Sequence, residues 1–263
     1  MKRHEKAAAR LVEQRLSLSP IEPLPTGWRP RDEPEGYRIQ QAVNRMLTEA
    51  GLGPVVGHKI GCTTPVMQRF LGIPNPCAGD VFERTVMQRA GRVPRSGFIK
   101  LGIECEIAVR LGRDIFPQDA PFTRDSVAFA VDEVMAAIEI VDDRYRDYRA
   151  LGVPTLIADD FFDSGCVLGE PVRDWRSLDL SRICGATRIN GIEVGRGTGA
   201  LVMDHPFEAL AWLARARALR GMGLKKGAFV LLGSVVETKW LDAGDEVRVQ
   251  IEELGEVSLS VGA

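Results

Sequence analysis

Three glutamates and one lysine have the residue types and spacing to hold a metal ion and move protons. Ile103-Glu104-Cys105-Glu106-Ile107 alternates apolar and acidic residues within a longer strand-like run. Side chains on a strand point to alternate faces, so Ile103, Cys105 and Ile107 share one face and Glu104 and Glu106 the other. On a solvated edge two such carboxylates need nothing further. On a dry face their repulsion demands a cation or a proton. Glu139 sits in Val134-Met135-Ala136-Ala137-Ile138-Glu139-Ile140-Val141, an apolar run that reads as an interior strand. A carboxylate there is costly unless it is protonated, coordinated or paired with an arginine such as Arg144. Three carboxylates are hard oxygen ligands suited to Mg²⁺ or Mn²⁺. Three protein ligands on an octahedral ion leave positions for water and substrate.

Lys59 lies in Val55-Val56-Gly57-His58-Lys59-Ile60-Gly61, a short strand-like run. Apolar neighbours can lower a lysine's pKa and fit it for proton transfer, carboxylate neighbours make it a fixed positive charge, and on the surface it does neither. Asp159 and Asp160 follow Leu156-Ile157-Ala158 and equally suit a helix end or turn. His58 adjoins Lys59 on the opposite strand face, and His205 stands at a helix start, a structural position. Gly195-Arg196-Gly197-Thr198-Gly199 is Gly-rich but follows a hairpin instead of opening a helix, which is not a nucleotide-binding context. Gly233-Ser234, after Phe229-Val230-Leu231-Leu232, offers backbone N–H groups to a substrate anion.

The elements that must position these groups are mostly strands. The apolar spacing predicts a helix over residues 3–17, a Pro-rich connector (Pro20, Pro23, Pro25, Pro30), and a helix over 35–50 stopped by Gly51. Residues 1–50 read as an N-terminal helical cap and 51–263 as a catalytic mixed-β domain. Asn190-Gly191 between two strand-like runs predicts a tight hairpin. One amphipathic helix begins near Asp204, read as its N-cap, and runs to Gly221. Strands that do not alternate regularly with helices give an α+β class, with a mixed or antiparallel sheet rolled or closed.

The whole chain is consistent with a cytoplasmic enzyme. Its 263 residues are 45% hydrophobic and 27% charged, with a formal net charge of −2. No basic cluster suits a nucleic-acid backbone, and no apolar run reaches bilayer length. The first twenty residues carry charges where a signal peptide needs an apolar core. Five cysteines (Cys62, Cys77, Cys105, Cys166, Cys184) without a C-x-x-C pair argue against a disulfide framework or a zinc site.

Taken in order, GHKIGCTTPVMQRFLGI, GIECEIAVRLGRDI, AAIEIVDDR, ADDFF, DHPFEALAWLA, and LLGS with LDAGDEVRVQIEELGEVSL resemble the 2-keto-4-pentenoate hydratase group of the fumarylacetoacetate hydrolase superfamily. The resemblance runs from about residue 37 to the C-terminus. It implies a mixed β-roll and a Mg²⁺ or Mn²⁺ site. The family's E-x-E pair falls on Glu104 and Glu106, its third ligand on Glu139, its lysine on Lys59 and its Ala-Asp acid on Asp159. It further implies a homo-oligomer acting on small 2-hydroxydienoates or 2-oxo acids from aromatic ring cleavage, with no nucleic-acid or membrane partner. One departure stands out: Cys77, in Asn75-Pro76-Cys77-Ala78-Gly79, replaces an aspartate that such hydratases carry. The leading expectation is a metal-dependent hydro-lyase that adds water to a 2-hydroxy-2,4-dienoate. The alternatives are decarboxylation of a 4-oxalocrotonate-like acid, C–C hydrolysis of an acylpyruvate with His58 activating water, and a non-catalytic binding protein on the same fold.

Overall fold

The computed structural model describes residues 2–263. Its strands are β1 (Val55–Gly61), β2 (Cys77–Phe82), β3 (Val86–Gln88), β4 (Ala90–Pro94), β5 (Leu101–Leu111), β6 (Val131–Asp142), β7 (Asp163–Leu168), β8 (Cys184–Ile189), β9 (Ile192–Thr198), β10 (Phe229–Trp240), β11 (Glu246–Ile251) and β12 (Gly255–Gly262). The α-helices are α1 (Arg3–Leu16), α2 (Glu33–Leu47), α3 (Pro65–Leu71), α4 (Arg124–Ala128), α5 (Tyr148–Leu151), α6 (Val153–Ala158) and α7 (Pro206–Ala218).

The strands form two sheets, one of seven strands in the order β2-β1-β10-β5-β6-β7-β3 and one of five in the order β4-β12-β11-β8-β9. Both are mixed: β1 runs parallel to β10, β3 to β7 and β12 to β4, while β5, β6 and β7 pair antiparallel. The fold is therefore α+β, as expected. The two faces of the large sheet differ. Ile103, Cys105, Ile107 and Val109 of β5 join Ala136, Ile138 and Ile140 of β6 in the main core, which also takes in Val249 and Leu259 of the second sheet. The opposite face carries a small cluster containing Ala108, Met135, Ala137 and Leu231. Period-two alternation places Glu104, Glu106 and Glu139 on that second face.

Capping and turn chemistry set the local boundaries. Asp32 caps α2 by accepting from the Glu35 N–H at 2.8 Å, so the helix starts two residues earlier than its apolar periodicity indicates. α2 ends at Leu47, with a π-turn over Thr48–Leu52 completing the descent to Gly51. Ala7, Ala8 and Leu11 of α1 and Ile39, Val43 and Leu47 of α2 are buried in the same core as the sheets. The hairpin at Asn190-Gly191 joins β8 to β9, with φ of 52° and 81°, the two left-handed residues that such a turn requires. The cap of α7 is His205, not Asp204: its Nδ1 accepts from the Phe207 N–H at 3.0 Å, which makes the histidine structural. The short helices α3 to α6 were not expected. α3 has no buried residue and α6 is buried almost throughout, so neither shows a one-sided stripe. No helix among the described residues is long and apolar enough to cross a membrane.

Candidate metal centre

β5 and β6 bring the carboxylates together through their register. Glu104 pairs directly with Glu139 across the antiparallel ladder, and Glu106 lies two residues along β5 on the same face. Directly opposed side chains in such a pair have Cβ atoms about 5 Å apart, a repulsive arrangement for two like charges. One carboxylate oxygen from each of Glu104, Glu106 and Glu139 lies within 4.8 Å of the others. Glu106 and Glu139 are fully buried, and Glu104 is half-buried on the lining of a cavity of about 500 Å³.

The hydrogen bonds hold these carboxylates without satisfying them. Glu104 Oε1 accepts from the Thr238 hydroxyl. Glu106 Oε2 accepts the Gly233 N–H at 2.8 Å, while its Oε1 is buried with no partner. Lys59 Nζ stands 2.7 Å from Glu139 Oε1 as a buried ion pair, and Glu139 Oε2 is buried with no partner. Burial, then repulsion from Glu139 and Glu104, pushes the Glu106 carboxyl well above the usual carboxylate range. Burial also raises Glu139, to about 7, against the opposing pull of Lys59. Burial alone would lower Lys59, but Glu139 and Glu104 outweigh it and hold the ammonium above its ordinary value. The two carboxylates thus keep the lysine protonated, as an ammonium, in the metal-free site. A buried trio of hard, partly orphaned oxygens fits a divalent cation such as Mg²⁺ or Mn²⁺.

The remaining candidates fall in different places. Asp159, on which the family's Ala-Asp acid falls, is not on the cavity lining. Its carboxylate is fully buried, 2.7 Å from Arg144 Nε and 3.0 Å from the Tyr145 hydroxyl. Arg144, the rival partner for Glu139, is taken up there. Arg15 of α1 reaches the same acids, 3.5 Å from Asp160 and 3.6 Å from Asp163. The Gly233 N–H is committed to Glu106, so it orients a carboxylate and is not free for a substrate anion. Gly233 has φ of 124°, and a side chain there would strike Thr63. Ser234 lines the cavity, but its hydroxyl donates to the Val236 carbonyl. His58 faces away, with Nδ1 2.6 Å from Asp80. Residues 195–198 of the Gly-rich loop belong to β9. Cys77 is buried against β1 and its thiol is pushed well above the ordinary range, so it stays protonated.

Two features escaped sequence reading. The strand after Gly233-Ser234 continues to Trp240, and its register shifts beside Ser234 and Val236 place Thr238 near Glu104. Bulges of this kind re-aim side chains, and the β-branched run after Ser234 was the available signal. The second is the turn at Asp160, Phe161 and Phe162, three consecutive left-handed residues (φ 57°, 49° and 69°) that place both phenylalanines on the cavity wall. Each such conformation costs about 1–3 kcal/mol. The Asp159–Arg144–Tyr145 network braces this turn, with the Tyr145 hydroxyl accepting the Phe162 N–H at 3.3 Å. Asp159→Ala is expected to lower stability by about 3–5 kcal/mol, because it leaves Arg144 buried and unpaired. A urea titration reads this. An unchanged midpoint combined with lost metal binding would return Asp159 to the site.

The two-sheet fold with this carboxylate trio on one face matches a known family. The profile of the fumarylacetoacetate (FAA) hydrolase C-terminal family matches residues 81–261, and the chain belongs to that family. Among its relatives, the 2-keto-4-pentenoate hydratase of Paraburkholderia phymatum is 33% identical over 258 residues, 98% of this chain and 97% of that protein. A 4-oxalocrotonate decarboxylase of Pseudomonas putida is 28% identical over 224 residues, 85% of this chain and 83% of that one. The solved 4-oxalocrotonate decarboxylase from Pseudomonas putida G7, complexed with magnesium and adipate, superposes with a TM-score of 0.91 at 24% identity. That match covers 99% of this chain and 98% of the other, and it speaks to the fold alone.

Proposed function

We propose that the chain is a divalent-metal-dependent hydro-lyase that adds water to a 2-hydroxy-2,4-dienoate, giving a 4-hydroxy-2-oxo acid. The observation that carries this reading is the convergence of Glu104, Glu106 and Glu139 beside Lys59, with Glu104 and Lys59 lining one cavity and the other two glutamates buried directly behind it. The hydratase relative, matched along nearly its full length, supports the reaction class. The magnesium complex of the decarboxylase with the same fold supports Mg²⁺ or Mn²⁺ as the ion.

Glu104, Glu106 and Glu139 would hold the metal, which when bound supplies a Lewis acid for the substrate's carboxylate and 2-oxygen. Lys59 reaches the cavity as an ammonium. It gives a proton to the terminal carbon of the diene and recovers one from the 2-hydroxyl, leaving the 2-oxo-3-enoic acid. Water then adds across the remaining double bond, hydroxyl to the fourth carbon and hydrogen to the third. The Gly233 amide and the Thr238 hydroxyl keep two of the carboxylates aimed while this occurs. The protein is expected to act in the cytoplasm as a homo-oligomer, in the breakdown of aromatic ring-cleavage products.

The test begins with chelator-stripped protein. Mg²⁺ or Mn²⁺ at about a hundredfold excess over Kd is expected to raise Tm by roughly 5–10 °C, and oxalate, an enolate mimic, to raise it further. Product analysis after incubation with 2-hydroxypenta-2,4-dienoate should find substrate plus one water. No thermal response to either addition would indicate a binding protein that has lost the site. Carbon dioxide released from 4-oxalocrotonate, with no hydration of the dienoate, would assign the decarboxylase reaction instead.

A further inference from the structure

The same cavity carries information about the part of the substrate remote from the metal. Resting on the hydro-lyase reading, we propose that the acid's tail is an uncharged apolar group of about the size of an aromatic ring, seated along a wall built by Phe161, Phe162 and Tyr148.

A cavity of about 500 Å³ is in the range that encloses drug-sized ligands, and a five-carbon dienoate would leave most of it to water. Phe161 lies 5.4 Å from Lys59 Nζ and meets Phe162 edge to face at 5.4 Å. Phe162 meets Tyr148 at 5.7 Å, again edge to face, and Tyr148 lies 6.5 Å from Phe70 of α3. This aromatic chain begins at the reacting end and runs to the surface, where Phe70 is exposed. Edge-to-face partners are the natural neighbours of another ring. Met67 and Trp240, also on the cavity lining, are exposed apolar side chains that such a tail would cover.

Among the described residues Lys59 is the only basic one on the lining, and it is paired with Glu139. The other charged lining residues besides Glu104 are Asp143 and Glu237. Lys100 and Lys239 are already paired with Asp143 and Glu237 respectively, and Arg149, stacked over the Tyr148 and Phe70 rings, stands exposed at the outer end of the wall and off the lining. Asp143 Oδ1 is moreover buried without a donor. A carboxylate tail would lose its water and meet acids, whereas an apolar tail loses nothing by entering.

Binding and turnover test this separately. Isothermal titration of the Mg²⁺-loaded protein with three 2-oxo acids, pyruvate, 2-oxoadipate and 2-oxo-4-phenylbutanoate, should show the phenyl compound binding at least about tenfold more tightly than either other acid. The substitution Met67→Arg, at an exposed position that tolerates charge, should shift the ratio of 2-oxoadipate to phenyl affinity at least about tenfold toward the dicarboxylate. Phe162→Ala should reduce the phenyl preference. Tighter binding of pyruvate or 2-oxoadipate to the wild type overturns the apolar tail, even if dienoates are hydrated. A phenyl preference without hydration of any dienoate upholds the tail and overturns the reaction.

Discussion

Glu106→Gln is expected to move two properties in opposite directions: the metal-free protein gains stability while the Mg²⁺ response and turnover collapse. Glu106 is fully buried, one oxygen holds the Gly233 N–H, and the other has no partner. Burial and the neighbouring carboxylates already favour its protonated form, which an amide of the same shape imitates. The Gln oxygen can keep the Gly233 bond, so the backbone bulge at Gly233 is retained. The repulsion removed grows as Glu139 ionises, so the gain in Tm should be larger at pH 8 than at pH 6. A metal ion loses one of three anionic ligands and meets an NH₂ group in its place. With several kcal/mol of Lewis-acid stabilisation at stake, kcat/KM should fall by about 10³-fold or more. Thermal melts with and without Mg²⁺, run beside a turnover assay, measure all three quantities. A variant that loses apo stability, or that keeps a full Mg²⁺ shift, would remove Glu106 from the metal centre.

The parts of this site legible in the sequence were those that depend on local periodicity. Alternation around Cys105 placed Glu104 and Glu106 on one face, and the apolar run around Ile138 marked Glu139 as an interior acid, before any pairing was known. Pairing is a long-range property. The register that opposes Glu104 to Glu139 depends on a ladder between strands separated by a loop and α4. Arg144 illustrates the limit: it lies close to Glu139 in sequence, but β6 ends at Asp142 and the chain then turns it toward Asp159. Asp159 matches a family segment in the sequence, but only the fold shows it buried beside Arg144 and Tyr145, where it braces the turn behind the cavity. Gly233-Ser234 follows the apolar run Phe229-Val230-Leu231-Leu232, and nothing local tells whether the strand stops at that glycine. There the strand bulges and continues, so the amide thought free for substrate is bonded to Glu106. The aromatic wall needed three consecutive left-handed residues, two of them phenylalanines, which no local propensity favours.

Lys59→Met is expected to reduce turnover by about 10²–10⁴-fold, the usual range for loss of a positioned proton donor, while leaving Mg²⁺ binding intact or tighter. The ammonium is 2.7 Å from Glu139 and competes with a cation for that carboxylate, so its removal lifts a repulsion from the metal. The same change alters the pH dependence of the apoprotein. The Glu139 carboxyl is raised to about 7 by burial, with Lys59 pulling against the rise. A carboxyl raised in the folded state contributes stability that is complete below its unfolded value near 4.5 and is lost as pH climbs through the folded value. Wild-type apoprotein should therefore lose Tm between about pH 5 and pH 8, and Mg²⁺, which binds the ionised form, should flatten the curve. Without Lys59 the Glu139 carboxyl rises further, so the apoprotein decline extends to higher pH and the flattening by Mg²⁺ becomes larger. Melting curves across pH 5 to 9, with and without metal, resolve the two slopes. An apoprotein Tm that instead rises between pH 5 and pH 8 would mean that Glu139 is not buried against its neighbours' charge, and the positioning of Lys59 would lose its physical basis.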